Sequence, residues 1–446
     1  MTFDLSLKDF RGFHNQGYVP VRPITILVGE NSAGKTSFLA GMKYVQDFLS
    51  NRAEPSFNSD PFQLGTFDQI SHFRGGRGGR ASQFSISLRQ NMQMRKSRST
   101  DLSGNYSVEL KLFFNSVDSH AAVVKASIST GRAGLEASIV SDGIQIAHVG
   151  ENNERHVLDE PSFAPVVAKV EFARYWPFLI RDLKFRLRHR TEGQSDFLSS
   201  IENEISMLSD LAESLVRRTR GVIEATSAIR TRPQRTYTPG TEREDGEGSH
   251  VPYEIAKRYR ARGQNKDEWS SIRGTIEDFG KQSGMFKEIS VKSFGQTASD
   301  PFQLQFSSGG PKMNLVDLGY GASQVLPILY SIATGQRGGY FLVQQPEVHL
   351  HPQAQAALGQ FIVDSQQRTG LQFVLETHSD FIVDRVRRAI ANKQLRQEDV
   401  SILFFERDRL ENKITEIELD ELGEPVNPPE TYRSFFIGEQ MKILGL

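Results

Sequence analysis

Gly29-Glu30-Asn31-Ser32-Ala33-Gly34-Lys35-Thr36 fits the pattern G-x-x-x-x-G-K-[ST], and its flanks decide what that match means. Upstream, Ile24-Thr25-Ile26-Leu27-Val28 reads as a short buried strand. Downstream, Phe38/Leu39, Met42, Val45 and Phe48/Leu49 recur at helical spacing. Strand, glycine loop, helix is the arrangement in which such a loop cradles phosphate. The glycines let the backbone turn N–H groups onto phosphate oxygens, and the helix N-terminus adds favourable partial charge. Lys35 then reaches the β/γ-phosphates, and the Thr36 hydroxyl ligates Mg²⁺. The candidate phosphate-binding set is Gly29, Asn31, Ser32, Ala33, Gly34, Lys35, Thr36 and Ser37.

The last third of the chain carries three further signals. Asp317-Leu318-Gly319-Tyr320-Gly321-Ala322-Ser323-Gln324 is a glycine-and-serine turn that runs into the apolar helix Val325-Leu326-Pro327-Ile328-Leu329. An apolar strand, Tyr340-Phe341-Leu342-Val343, ends in Gln344-Gln345-Pro346-Glu347 and is followed by Val348-His349-Leu350-His351-Pro352. A second strand, Phe373-Val374-Leu375, ends in Glu376-Thr377-His378-Ser379-Asp380.

In this order the motifs resemble those of ABC-type ATPase heads, and among them the standalone, AAA-labelled RecF/SMC/OLD-like group, many of which are encoded beside phage-defence effectors. The resemblance covers roughly the first fifty residues and those from about 285 onward. It implies an α/β fold: a mixed central sheet with flanking helices and an antiparallel β-subdomain, here with a helical insertion and no long coiled-coil arm. It also implies ATP and Mg²⁺ as cofactors, and a head-to-head homodimer or larger homo-oligomer that sandwiches two ATPs. Gly321, Ser323 and Gln324 would then meet the partner's nucleotide in trans, and His378 would sense the γ-phosphate in cis. Phe67-Asp68-Gln69-Ile70 offers Gln69 for the Mg²⁺ shell, with an ordinary surface glutamine as the alternative. His349 and His351 could suggest a metal pair, but the resemblance implies that they form the turn after the catalytic strand.

One departure from the family pattern is chemical. Where most such heads carry Asp-Glu, this chain has Gln344 and Gln345. An amide can orient a water but cannot take its proton. Glu347 and Glu376 are the nearby carboxylates that could serve as base or Mg²⁺ partner, beside Gln344 in the metal set and Gln345 and His378 in the catalytic one. Slow hydrolysis is the expectation, with a non-hydrolysing ATP-binding scaffold as the alternative.

With 446 residues, 38% hydrophobic and 24% charged, the chain has the composition of a soluble globular protein of two or three domains. It has no cysteine, which excludes disulfides and cysteine–zinc sites and suits a reducing cytoplasm. A net charge of −1 gives no overall pull toward nucleic acid or an acidic membrane. The N-terminus alternates as an edge strand, and no apolar run is long enough to span a bilayer. Three parts are expected: an N-terminal lobe over 1–150, a mainly helical insertion over 151–285 with a flexible loop near 238–250, and a C-terminal lobe over 286–446. Within the first lobe, 83–88, 106–115, 121–129, 135–140 and 144–149 alternate as an antiparallel meander. In the insertion, Phe197, Ile201, Ile205, Leu208, Leu211 and Leu215 mark an amphipathic helix.

Two basic clusters remain. Arg74-Gly75-Gly76-Arg77-Gly78-Gly79-Arg80 reads as either a flexible loop or a nucleic-acid contact. Lys184, Arg186, Arg188, His189 and Arg190, with Arg217, Arg218, Arg220, Arg230, Arg232 and Arg235, read as either a solvated face or a DNA or partner contact. Two functions follow. One is an ATPase subunit that assembles on ATP and controls a separately encoded effector such as a nuclease, in antiviral defence. The other is a RecF-like maintenance ATPase that binds DNA directly. The stretch after His378 is short for an appended nuclease domain, so an effector is expected on another chain.

Overall fold

A computed structural model of the chain describes residues 2–50, 55–76, 78–96, 103–141, 143–159, 196–219, 223–240, 244–260, 264–432 and 434. Two sheets carry the architecture. The first is antiparallel and eight-stranded, in the order β2-β1-β4-β5-β6-β7-β8-β9, from β1 (Phe3–Phe10), β2 (Phe13–Val21), β4 (Phe84–Met94), β5 (Gly104–Val117), β6 (His120–Ser129), β7 (Gly134–Val140), β8 (Gly143–Val149) and β9 (Arg155–Asp159). The expected meander is β4 to β8, and β9 carries it past the boundary placed at 150. The N-terminal strand is not at the edge: β2 covers it, paired from Phe3↔Val21 to Phe10↔Phe13. The polar interior of β2 (His14, Asn15, Gln16, Gly17) and its Pro20 hide its alternation from a reading of pattern alone.

The second sheet carries the glycine-loop strand and the two strands that end at Gln344 and Glu376. Its order is β10-β14-β15-β3-β16-β17, from β3 (Ile24–Gly29), β10 (Ile223–Thr226), β14 (Tyr340–Gln344), β15 (Gln372–Glu376), β16 (Val400–Asp408) and β17 (Glu411–Ile417). All its pairings are parallel except β16–β17. The strands β3, β14 and β15 are buried on both faces, which is why they are short continuous apolar runs. A small third sheet, β11 (Glu288–Ser293), β12 (Phe302–Ser307) and β13 (Met313–Asn314), leads into the 317–324 turn.

The helices are α1 (Lys35–Ser50), α3 (Asp196–Thr219), α4 (Val251–Arg260), α5 (Gln264–Ser283), α6 (Tyr320–Thr334), α7 (Pro352–Thr369) and α8 (Asp380–Ala391), with α3 packed against α1 and against β6 and β7 of the first sheet, and the single-turn α2 (Phe67–Ile70) against β5 and β6. In α3, Ile201, Ile205, Leu208, Leu211 and Leu215 are buried, as their spacing requires. It has 24 residues and is the longest helix among the described residues, so no coiled-coil arm is seen there. The insertion contributes to the second sheet, where its strand β10 pairs with β14 from Ile223↔Tyr340 to Thr226↔Val343. Part of the loop near 238–250 is fastened too: Ser227 N–H donates to Gly246 O, and Thr231 N–H to Glu247 O. No helix among the described residues is long and apolar enough to cross a membrane.

Candidate active site

The strand β3 delivers the glycine loop from between β15 and β16. Gly29 has φ 120°, and a Cβ there would come within 2.1 Å of Phe405 O, so only glycine lets β16 pass this close. Ser32 (φ 62°) and Gly34 (φ 98°) also take the left-handed region. Such alternation turns successive N–H groups into one anion-binding concavity. Asn31 and Ser32 are exposed on the rim, whereas Ala33 and Ser37 face inward. Lys35, the first residue of α1, is 4% exposed; its Nζ donates to Gly29 O (2.9 Å) and Glu30 O (2.7 Å) across the loop. Burial holds its pKa below the usual lysine range, against the pull of Glu376, Glu30 and Glu347.

The parallel register sets Gln344 beside Glu376 at the ends of β14 and β15. The Thr36 hydroxyl donates to Glu376 Oε2 at 3.0 Å. The partner of Thr36 is therefore a carboxylate from the neighbouring strand, and not Gln344. A hydroxyl and a carboxylate are hard oxygen donors of the kind Mg²⁺ takes, so this pair fits the ion. Glu347 lies beyond a turn in which Gln345 has φ 43°, with the Gln345 N–H donating to Glu376 O (2.7 Å). Its carboxylate accepts from Thr377 Oγ1 (2.7 Å) and from the His378 N–H (2.8 Å). Burial pushes the pKa of both glutamates up; for Glu376 the neighbouring Glu347 adds to the rise. The side chain of His378 is exposed at the mouth, and partial burial and the Lys35 charge hold its pKa below the usual imidazole range.

The remaining candidates fall into two groups. Gly321 is where α6 meets the catalytic turn, since a Cβ there would come within 2.5 Å of His349 O. Ser323 and Gln324 point inward: Ser323 is 5% exposed and donates to Tyr320 O (2.7 Å), and Gln324 Nε2 donates to Thr231 O (3.5 Å). The open end of α6 instead presents Gly319, which has φ 103° and no side-chain cap bond, and the half-exposed Tyr320. This differs from the expectation of a Ser323 hydroxyl facing a partner, because Ser323 sits a full turn inside the helix. Gln69 is committed elsewhere, its side-chain oxygen accepting from Thr66 N–H (2.8 Å) in the capping box of α2. His349 stacks edge-on against Tyr320, and His351 Nδ1 accepts from Ala354 N–H at the start of α7.

Several arginines of the basic clusters have partners among the described residues. Arg74 is bonded to Asp9, Arg80 to Ser71 O, and Arg235 to Asp317. Arg230 is 2% exposed and donates through Nη2 to Gln344 O (2.8 Å) and Gln345 O (3.0 Å). Arg77, Lys184, Arg186, Arg188, His189, Arg190 and Arg220 lie outside the described residues. Arg230 and Thr377 are the site residues that sequence reasoning missed. Thr377 stood in the E-T-H-S-D motif, whereas nothing in the sequence separates Arg230 from its exposed neighbours.

A family model described as "AAA domain, putative AbiEii toxin, Type IV TA system" matches residues 24–113 and 168–384. Among solved structures, an Smc head bound to the C-winged helix domain of ScpA is 12% identical, with TM-score 0.43, covering 94% of this chain and 98% of that one. The Smc head of Pyrococcus furiosus, with an extended coiled coil and bound to the C-terminal domain of ScpA, is 10% identical, with TM-score 0.43, covering 100% and 99%. The SMC head domain from Thermotoga maritima is 10% identical, with TM-score 0.40, covering 93% and 98%. No curated protein matches the chain in sequence.

Proposed function

The chain belongs to the AAA-domain family that carries the putative AbiEii toxin description, a family of ABC-type P-loop ATPases, and on that premise we propose that it hydrolyses ATP slowly and assembles on ATP to control a separate effector. The observation that carries the catalytic part is the meeting of Lys35, Thr36, Glu376 and Glu347 at one end of the second sheet. The loop N–H groups and Lys35 bind and neutralise the phosphates. Thr36 and Glu376 would hold Mg²⁺, which would supply charge neutralisation to the bound nucleotide. Glu347, oriented by Thr377 and the His378 N–H, takes the proton of the attacking water. Burial raises its proton affinity and makes it a better base than an exposed carboxylate. With Gln345 in place of an acid at the strand end, turnover is slow.

Control of a separate effector is the reading we carry from the motif resemblance, and the family's description, a putative toxin of a type IV toxin–antitoxin system, sets it in the same broad context. Among the described residues, Arg74, Arg80, Arg230 and Arg235 of the basic clusters are bonded to protein groups, which gives direct DNA binding no support from them. The test is Lys35→Ala, expected to lower ATP binding or turnover by about 10²-fold or more, the scale for removing one preorganised donor to developing charge. Unchanged affinity and turnover would remove the assignment.

A further inference from the structure

The register of β10 on β14 runs Thr226 alongside Val343, so the residues after β10 continue along the turn that carries Gln344, Gln345 and Glu347. Arg230 lies there with its guanidinium shut off from solvent. Only Nη2 is satisfied, by the carbonyls of Gln344 and Gln345; Nε and Nη1 have no hydrogen-bond partner. Burial lowers its pKa to about 10, which leaves it charged at neutral pH, and Glu347 is the anion it feels. A buried cation with two idle nitrogens is costly, and an apolar residue of similar volume would fill the space without that cost. What only the arginine supplies is a pair of donor contacts to two consecutive carbonyls. One belongs to Gln345, whose left-handed φ of 43° is unfavourable for a residue with a side chain.

We propose that Arg230 is a positioning residue for ATP hydrolysis: its contacts to the Gln344 and Gln345 carbonyls pin the left-handed turn that sets Glu347 against Thr377 and the His378 N–H. The same segment continues past Thr231, which accepts from Gln324 of α6, to Arg235, which pairs with Asp317 in the turn before α6. The insertion thereby ties the catalytic turn to the start of α6 through a single run of backbone. The inference rests on Glu347 being the base, as proposed above.

Arg230→Met keeps the stem and removes the donors; Arg230→Lys keeps one charge and reaches fewer contacts. In the full chain, Arg230→Met should lower kcat by about 10-fold or more while ATP affinity stays within about two-fold, and Arg230→Lys should recover part of the loss. In a Glu347→Gln background the Met change should cost nothing further, because the arginine acts through Glu347. Amide exchange of a peptide covering 344–350 should quicken in the Met variant whether or not ATP is turned over. If Arg230→Met does not fold, the Lys variant alone is read, and it should show smaller changes of the same sign. Unchanged exchange overturns the clamp; quicker exchange with parental kcat, or an additive loss in the Glu347→Gln background, overturns the positioning role. A parent that binds ATP without hydrolysing it defeats the proposed activity instead, and exchange alone then decides the clamp.

Discussion

The work we propose for Glu347 and Glu376 differs because their hydrogen-bond partners differ. Glu376 faces a hydroxyl on the phosphate loop, whereas Glu347 faces a hydroxyl and a backbone N–H on the strand end beside it. Glu376→Gln should therefore weaken Mg²⁺-dependent ATP binding by about 10-fold or more, the usual scale for disturbing a metal's supporting ligands. Glu347→Gln should leave binding near the parental level and slow hydrolysis by about 10². Titrations of nucleotide with and without Mg²⁺, beside phosphate release, separate the two, and the reverse pattern would exchange the roles. The sequence offered both carboxylates but could not assign them, because the assignment depends on Gln344 and Glu376 being neighbours across two strands whose pairing no local pattern encodes. Lys35 and Thr36 were legible because all that the loop needs lies within eight consecutive residues. Arg230 was hidden for the opposite reason: charge in a sequence does not reveal burial.

At the scale of elements, β10 is the piece the sequence concealed. Four residues, Ile223 to Thr226, are too few for a period to show, and they sit in a stretch whose composition reads as helical. Glu224, in the middle of the strand, has its pKa raised to about 7 by burial and then by Glu244, against a hydrogen bond from Ser331. The folded form holds that proton between the ordinary glutamate range and about pH 7, while the unfolded chain has already lost it. Stability attached to this group is thus present at low pH and lost as pH rises through the folded pKa. Glu224→Gln should remove that loss, so its stability relative to the parent should improve by about 2–3 kcal/mol between pH 4.5 and pH 8. Denaturant unfolding at the two pH values measures it; a parallel decline in parent and variant would rule out a buried, proton-holding Glu224. The meander β4 to β8 was, by contrast, readable strand by strand, though β4 runs on to Met94, past the 88 expected, since half-buried antiparallel strands write their alternation into the sequence.

For the whole molecule, the proposed assembly puts the open end of α6 against the partner's nucleotide. Ser323 is the wrong place to test this, since a large side chain there would damage the protomer's own interior. Tyr320, 42% exposed beside Gly319, is the place. Tyr320→Glu sets a negative charge where a phosphate would approach, and should weaken ATP-driven association by about 10-fold or more. Sedimentation velocity with ATP and with ADP reads this out. Association unaltered by the new charge would argue against that face.

The second sheet also dictates the order in which this protein can be made. The strand β3 (Ile24–Gly29), buried on both faces, leaves the ribosome well before both strands that flank it, β15 (Gln372–Glu376) and β16 (Val400–Asp408). Gln16 and Ile414, which exchange two hydrogen bonds in the finished fold, are 398 positions apart and meet later still. At about 5–20 residues per second, the phosphate loop stays without its neighbours for tens of seconds of synthesis. A nascent chain stalled short of Val400 therefore exposes a bare, aggregation-prone strand at its nucleotide loop, and is a natural client for chaperones that hold unfinished proteins.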